Sequence, residues 1–398
     1  MISAVRALPD RWRRAPRVVK VLMAQHFLEG FVPIGALYAI MFGTVGGLDF
    51  THIGWLFAIW SVAYLVAELP SGVLADYWSR KYVIMLGGVI RTAGFLIWMV
   101  WPGFWGYAIG FALWGIMIAC SSGAVAAYLH TELRAINMGE KYAKYYGWVT
   151  SFLWVGVLCG SVTAAIFTLK HTNLLIGLSA ASSLLFTVLL VGLPEHPYKK
   201  QATYLKTLAA GAQEVFRSQR LRYICLVLFS VYMIIGVIEE LLPRLYANFG
   251  LNDTAVSLTL AASVVATVLL VARLETIVRF SLFKQGLVMA LGVLFLLGGL
   301  YAGGLWGVGL LMLFSLLFHV FRPVFIHHAQ EATKGEERAT IGSIPGLAAG
   351  LFGAGAYALI GVVAGFTSER MSIALYGAVW LVVVLALAVM GRRYDAPS

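Results

Sequence analysis

Residues 68–81 read E-L-P-S-G-V-L-A-D-Y-W-S-R-K. The stretch begins inside one apolar run and ends just before another, which starts near Tyr82. Gly72 and Ala75 are small enough to let a neighbouring helix approach closely. Asp76 stands where a helix meets the aqueous edge, able to cap a facing helix or to accept from Arg80. Lys81 completes a basic pair with Arg80. This is a charged turn between two long apolar helices.

Composition says what surrounds it. Apolar residues make up 61% of the chain and charged residues 12%, far from the balance of a water-soluble domain. Runs of about 18–25 apolar residues recur from end to end, each long enough to cross a bilayer. They predict an all-α polytopic membrane protein with spans at 19–42, 53–76, 82–101, 105–129, 144–168, 173–193, 222–247, 255–272, 282–302, 304–328, 340–366 and 371–391. Of 29 Lys and Arg, only Lys170 and Arg370 fall in the outer loops and Arg91, Arg244 and Arg322 within spans, which leaves 24 on the other side. That asymmetry predicts cytoplasmic N- and C-termini. The net charge of +11 is thereby absorbed by topology, with some attraction to anionic lipid heads, and nucleic acid drops out as a partner. Cys120, Cys159 and Cys225 all fall in spans and read as small core hydrophobes, so neither a disulfide framework nor a thiolate metal site is indicated. The basic tail over 1–18, with Trp12 among arginines, reads as an anchor at the headgroup boundary.

The turn resembles the loop 2–3 signature of the major facilitator superfamily, G-x-L-a-D-r-x-G-R-[KR]. Gly72, Leu74, Ala75, Asp76, Arg80 and Lys81 match it, and Ser79 replaces the usual glycine. The resemblance implies two pseudo-symmetric six-helix bundles, here 1–193 and 222–398, joined by a linker over 194–221. Leu205, Leu208, Ala209, Ala212, Val215 and Phe216 recur in that linker with helical spacing, which predicts an amphipathic helix at the membrane surface. The 272–280 stretch A-R-L-E-T-I-V-R-F reads as a worn repeat of the signature. Two further stretches, the end of span 4 (residues 121–135) and R-A-T-I-G-S over 338–343, resemble a branch with many drug and metabolite exporters. In that branch's register, Thr131 stands where an aspartate is usual. Span 4 lacks the mid-membrane arginine of many proton antiporters, and span 5 lacks their Gly-Pro. Span 5 does carry Gly156-x-x-x-Gly160, a small-residue packing face.

Ionisable residues deep in spans are functional candidates by default. On span 1, Gln25, His26 and Glu29 share one face. Span 7 carries Glu239, Glu240, Pro243 and Arg244, with Glu240 and Arg244 spaced to pair within the helix. Span 10 places Ser315, His319 and Arg322 on one stripe. Glu68 on span 2 and Arg91 on span 3 come to similar depth and are expected to form a structural ion pair. Trp114, Ser121, Tyr128 and Glu132 fall near one face of span 4. His327, His328 and Glu331, at a helix end, read as solvated residues and not as a metal site.

By the resemblance, spans 1, 4, 7 and 10 line a central cavity, and the deep charges concentrate on three of them. The expected mechanism is alternating access, with rocking of the halves around a midplane site. Glu29, Glu239 and Glu240 are the proton-coupling candidates. Gln25, His26, Tyr38, Trp60, Ser121, Tyr128, Tyr232, His319 and Arg322 are the substrate-binding candidates, with Arg322 able to hold an anionic group or to pair with Glu29. Gly72, Asp76, Arg80 and Lys81 would latch one side. The expected activity is proton-coupled export of a small amphipathic molecule, drug-like or a siderophore, across a bacterial inner membrane. Proton-coupled uptake or uniport is the alternative, and a non-transporting receptor on the same fold is a reading of another class. The chain is expected to act as a monomer, to need no cofactor or metal and not to be an enzyme, since no nucleophile with its base, His-Glu-x-x-His or phosphate loop is found.

Overall fold

A computed structural model describes residues 15–196, 204–271, 278, 280–333 and 338–395, with the side chains of 204–210 and 338–343 left aside. Residues 1–14 of the basic tail with Trp12, residues 272–277 and 279 of the repeat, Lys199, Lys200 and Lys334 lie outside the described residues, and R-A-T-I-G-S is described in its backbone only.

The first apolar run does not form one helix. It divides into α1 (Arg17–Gly30), a single tight turn (Pro33–Ala36) and α2 (Tyr38–Thr44). Pro33 has no N–H to give and pushes the residue before it out of the helical region; Val32 sits at φ −123° and ψ 83°. The backbone groups released at membrane depth find side chains. Ser182 Oγ donates to the Phe31 carbonyl at 2.8 Å, Ser179 Oγ accepts from the Ile34 N–H at 3.3 Å, and Arg91 Nη1 donates to the Glu29 carbonyl at 2.9 Å.

The chain continues through α3 (Phe50–Tyr77) and α4 (Arg80–Val100), then a second divided span, α5 (Phe104–Ser121) and α6 (Ala124–Ala135). Gly123, at φ +66°, makes that division. After it come α7 (Tyr142–Phe167), α8 (Thr172–Val191) and the linker helix α9 (Tyr204–Arg217). The remaining helices are α10 (Gln219–Asn248), α11 (Asp253–Val271), α12 (Leu282–Ala302), α13 (Gly304–Ala332), α14 (Arg338–Phe366) and α15 (Glu369–Gly391). Among the described residues eleven helical units are long and apolar enough to cross a membrane, α5 and α6 counting as one; the divided α1–α2 span completes the twelve-helix arrangement. The expected linker helix forms over Tyr204–Arg217, with Val215 buried and Phe216 exposed.

Polar side chains start several helices. The carboxylate of Asp49 and the hydroxyls of Ser79, Ser218, Ser281 and Ser368 each accept the N–H three residues on. At Asp49 the N–H of His52 holds the carboxyl below its ordinary range.

Packing follows small residues. α1 crosses α7 where Gly30 meets Gly156; a Cβ on Gly156 would stand 2.1 Å from the Phe27 carbonyl oxygen, and one on Gly30 2.1 Å from that of Leu153. Gly160 packs on the broken stretch at Val32, so the expected packing face of span 5 is the one that receives the break. α3 packs on α5 and on α14, α4 on α5 and α8, α12 on α13 and α15, and α10 on α13 and α14. Helices from the two ends of the chain meet at α3–α14, α7–α11 and α2–α10. Thr51 Oγ1 to the Gly361 carbonyl (2.8 Å), Thr254 Oγ1 to the Ala165 carbonyl (2.9 Å) and the Leu169 N–H to Asp253 (3.0 Å) join them. Gly72 departs from expectation: no described residue lies within 4 Å of where its Cβ would be. The close helix contact is made instead at Gly54 of α3, against Tyr357 and Gly361.

These spaces predict opposite outcomes for two small changes. Gly156→Ala forces a methyl onto a backbone carbonyl and should destabilise the protein by about 1–3 kcal/mol. Gly72→Ala, in open space on a helix, should stabilise it by roughly 0.5–1 kcal/mol. Thermal unfolding of the two variants in one detergent, followed by monodisperse peak height, checks both signs.

Candidate functional site

The breaks and crossings enclose a cavity of about 400 Å³ between helices from both ends of the chain. Its wall carries Glu29, Tyr38, Trp60, Glu239, Glu240 and His319, all expected there. Ser315 of the same stripe and Trp114 of the span 4 face also reach it. Spans 1, 4, 7 and 10 thus supply most of the wall, and α3, α4, α7 and α11 supply the rest, through residues such as Phe57, Arg91, Trp154 and Thr267.

The carboxylates are held by protein partners. Gln25 Nε2 donates to Glu29 at 2.6 Å, and His26 Nδ1 meets the Gln25 oxygen at 2.7 Å, which makes the expected span 1 trio one connected unit. Gln25 and His26 are buried behind Glu29 and do not themselves line the cavity. Glu239 pairs with His319 Nε2 at 2.8 Å, and the His319 ring stands edge-on to Trp154. Tyr38 donates its hydroxyl to Glu240, which ties the divided first span to α10. Aromatic rings fill the space between: Phe57 stacks on Tyr357 at 5.0 Å, and Phe111 stands 6.0 Å from Trp114 and 6.4 Å from Trp60. Tyr357, unnoticed in the sequence, also donates to the Gly236 carbonyl at 2.6 Å.

Several expected partnerships are corrected. Glu68 and Arg91 do not pair. Glu68 takes the Ser122 hydroxyl at 2.8 Å, beside the α5–α6 break, while Ser71 of the same helix covers the Ala119 carbonyl at 2.9 Å. Arg91 turns the other way, to Ser183 Oγ at 2.8 Å and to the Glu29 carbonyl, with Phe186 beneath its guanidinium. α4 packs chiefly on α5 and α8 and shows its face to them. Glu240 and Arg244 do not pair either. Arg244 makes a forked contact with Glu369 of α15, at 3.1, 3.0 and 2.5 Å, and Asn248 adds 2.8 Å to the same carboxylate. A planar guanidinium favours that two-oxygen geometry over a neighbour one turn away.

Besides Gln25 and His26, four more substrate candidates fall outside the cavity. Arg322 is exposed and lies over the Tyr232 ring at 5.1 Å, so both are spent on each other and Arg322 does not reach Glu29. Ser121 turns to Met117, and Tyr128 donates to the Pro194 carbonyl at 2.5 Å. The division at Gly123 explains the latter pair: a single helical face cannot continue through a residue of positive φ, and α6 is re-aimed. α6 then clasps the start of the linker, since Glu132 binds both the N–H and the ring of His196. The signature residues serve the same region. Arg80 lies 3.6 Å from Asp76 and donates to the Ala127 carbonyl and to Thr131, the residue at the branch's aspartate position. Lys81 donates to the Leu193 carbonyl at 2.9 Å.

Three residues of the cavity wall carry a buried polar atom with no partner among the described residues: Arg91 Nη2, Trp60 Nε1 and Thr267 Oγ1. Each buried unmet donor costs on the order of 1–3 kcal/mol, and a charged one more. The residues lining an aromatic, charge-bearing cavity between two groups of membrane helices define a membrane transporter. The chain belongs to the Major Facilitator Superfamily, whose family model matches residues 22–356.

Among curated relatives, an uncharacterised MFS-type transporter of Methanocaldococcus jannaschii is 25% identical over 142 residues, 35% of this chain and 36% of that protein. The class C tetracycline resistance protein of Escherichia coli is 25% identical over 202 residues, 50% of this chain and 49% of that protein. The chain thus matches half or less of the length of these relatives. The crystal structure of the nucleoside transporter NupG superposes with a TM-score of 0.75 at 14% identity, over 94% of this chain and 99% of that one. A D-xylose–proton symporter gives 0.70 at 14%, over 93% and 96%. These likenesses carry the fold.

The corrected pairing yields a measurable contrast. A double-mutant cycle on Arg244 and Glu369 should give a coupling energy of roughly 1–3 kcal/mol in thermal unfolding, as for a partly buried forked pair. The same cycle on Arg244 and Glu240 should give less than about 0.5 kcal/mol.

Proposed function

We propose that this chain is a secondary active transporter that exports a small amphipathic molecule across a cytoplasmic membrane, coupled to protons, by alternating access. The observation that carries the reading is the placement of Glu29, Glu239, Glu240 and His319 in one aromatic cavity reached from both ends of the chain. A carboxylate in such a place can exchange a proton with whichever side the cavity faces. Glu239 can pass its proton to His319, already at hydrogen-bond distance, and Glu240 can do so against Tyr38. The Tyr38–Glu240 contact joins the two halves that rocking would separate, so protonation of Glu240 and opening are linked. The similarity to a tetracycline resistance protein supports export of a drug-like compound.

Uptake is the second reading. α7 runs from Tyr142 to Phe167 without the proline of the antiporters, and α5 and α6 lack their mid-membrane arginine. Both readings place the termini in the cytoplasm, with the Asp76–Arg80 end of α3 and α4 on that side. Accumulation in inverted vesicles favours export, and accumulation in right-side-out vesicles favours uptake.

The test is proton movement in proteoliposomes loaded with a pH-sensitive dye and challenged with amphipathic compounds. Wild type should give a substrate-triggered pH change. Glu29→Gln, Glu239→Gln and Glu240→Gln should each reduce it roughly tenfold or more, since an amide carries no exchangeable charge. Full proton-linked transport in all three variants would refute the coupling.

A further inference from the structure

We infer that Arg91 is the anchor for a carboxylate on the transported molecule, so that the substrate class is an aromatic or amphipathic carboxylic acid. The inference rests on the transporter reading and narrows its substrate.

Arg91 is 2% exposed and stands on the cavity wall. Its Nε donates to Ser183 Oγ, its Nη1 donates to the Glu29 carbonyl, and Phe186 supports its plane from 5.3 Å. These partners are neutral. Among the described residues no carboxylate comes within ion-pair distance of it, and the Glu29 side chain is bonded to Gln25 instead. The Glu29 carboxylate attracts it from beyond ion-pair distance, and a buried cation with no counter-charge in direct contact is a costly arrangement. Its remaining nitrogen, Nη2, has no partner. The fork is therefore held rigidly on two sides, with one N–H-bearing corner left for an acceptor.

The rest of the wall has the same bias. Of the three buried cavity atoms without a partner, Arg91 Nη2 and Trp60 Nε1 can only donate, and Thr267 Oγ1 can donate or accept. One oxygen of each wall carboxylate is engaged: that of Glu29 by Gln25, that of Glu239 by His319 and that of Glu240 by Tyr38. A ligand that brings oxygen acceptors completes these three groups, and a carboxylate does so with the charge that Arg91 calls for. Trp60, Trp114, Phe111 and Trp154 surround the remainder of the space, which suits a flat apolar body.

The experiment is calorimetric binding to the purified full chain with three matched probes: 3-phenylpropionate, 3-phenylpropionamide and 3-phenylpropylamine. Wild type should bind the carboxylate roughly tenfold to hundredfold tighter than the amide, as a charged hydrogen bond contributes. Arg91→Gln should bring that ratio close to one, and Arg91→Lys, which keeps the charge but loses the fork, should restore part of it. The wild-type ratio decides the matter even if Arg91→Gln does not fold. A carboxylate no tighter than its amide, an amine that binds best, or a ratio unchanged in Arg91→Gln overturns the inference. Proton-driven flux of the amine alone would leave the transporter reading standing and remove this one. Binding through Arg91 with no flux of any probe would do the reverse.

Discussion

A backbone carbonyl or N–H released inside a bilayer has no water to turn to, and everything at the centre of this molecule depends on meeting that demand. Two spans stop partway. Pro33 ends α1, and Gly123 ends the helical path of α5. Each break is met by hydroxyls from a neighbouring helix: Ser179 and Ser182 for the first, Ser71 for the second. The carbonyl at Glu29 receives a guanidinium instead. That choice puts a full positive charge at the core of the bundle, where a serine would have satisfied the backbone alone.

The consequence is a cavity with its own electrostatics. Broken helices direct charged termini and side chains inward without lipid contact, since the surrounding helices supply the apolar exterior. Gly30 and Gly156 allow α1 and α7 to touch backbone to backbone, which brings Leu153, Trp154 and Val157 of α7 to the wall opposite His319 and Glu239. The three carboxylates are each bonded within the protein, and two of those bonds, Tyr38–Glu240 and Glu239–His319, join different helices. These short-range contacts tie the charged groups of the wall to the packing of the helices that carry them.

At the other end, the signature turn does not act as a free-standing latch in this conformation. Arg80, held beside Asp76, reaches across to Ala127 and Thr131, and Lys81 to Leu193, so the turn, α6 and the first residues after α8 form one polar cluster. Glu132 and His196 extend it to the linker. Motion of the linker would be felt at α6, and through the Gly123 break at α5, whose Phe111 and Trp114 line the cavity.

The sequence by itself determined the class, the number of spans and most of the deep charges, because hydropathy and intramembrane cost act locally and leave their mark residue by residue. Glu29, Glu239, Glu240 and His319 were legible for that reason, and so was the close crossing at Gly156. Only the tertiary structure decided who faces whom. Arg91 was visible as a deep charge but read as the partner of Glu68, because depth along a helix can be counted from sequence while rotation and neighbour cannot. Tyr128 and Ser121 were placed on a continuous face that Gly123 interrupts, and Arg322 was given to the cavity although its stripe carries it out beside Tyr232. Trp154 and Thr267 carry no charge and no motif, so nothing in the chain distinguishes them from lipid-facing residues until α7 and α11 are packed in place.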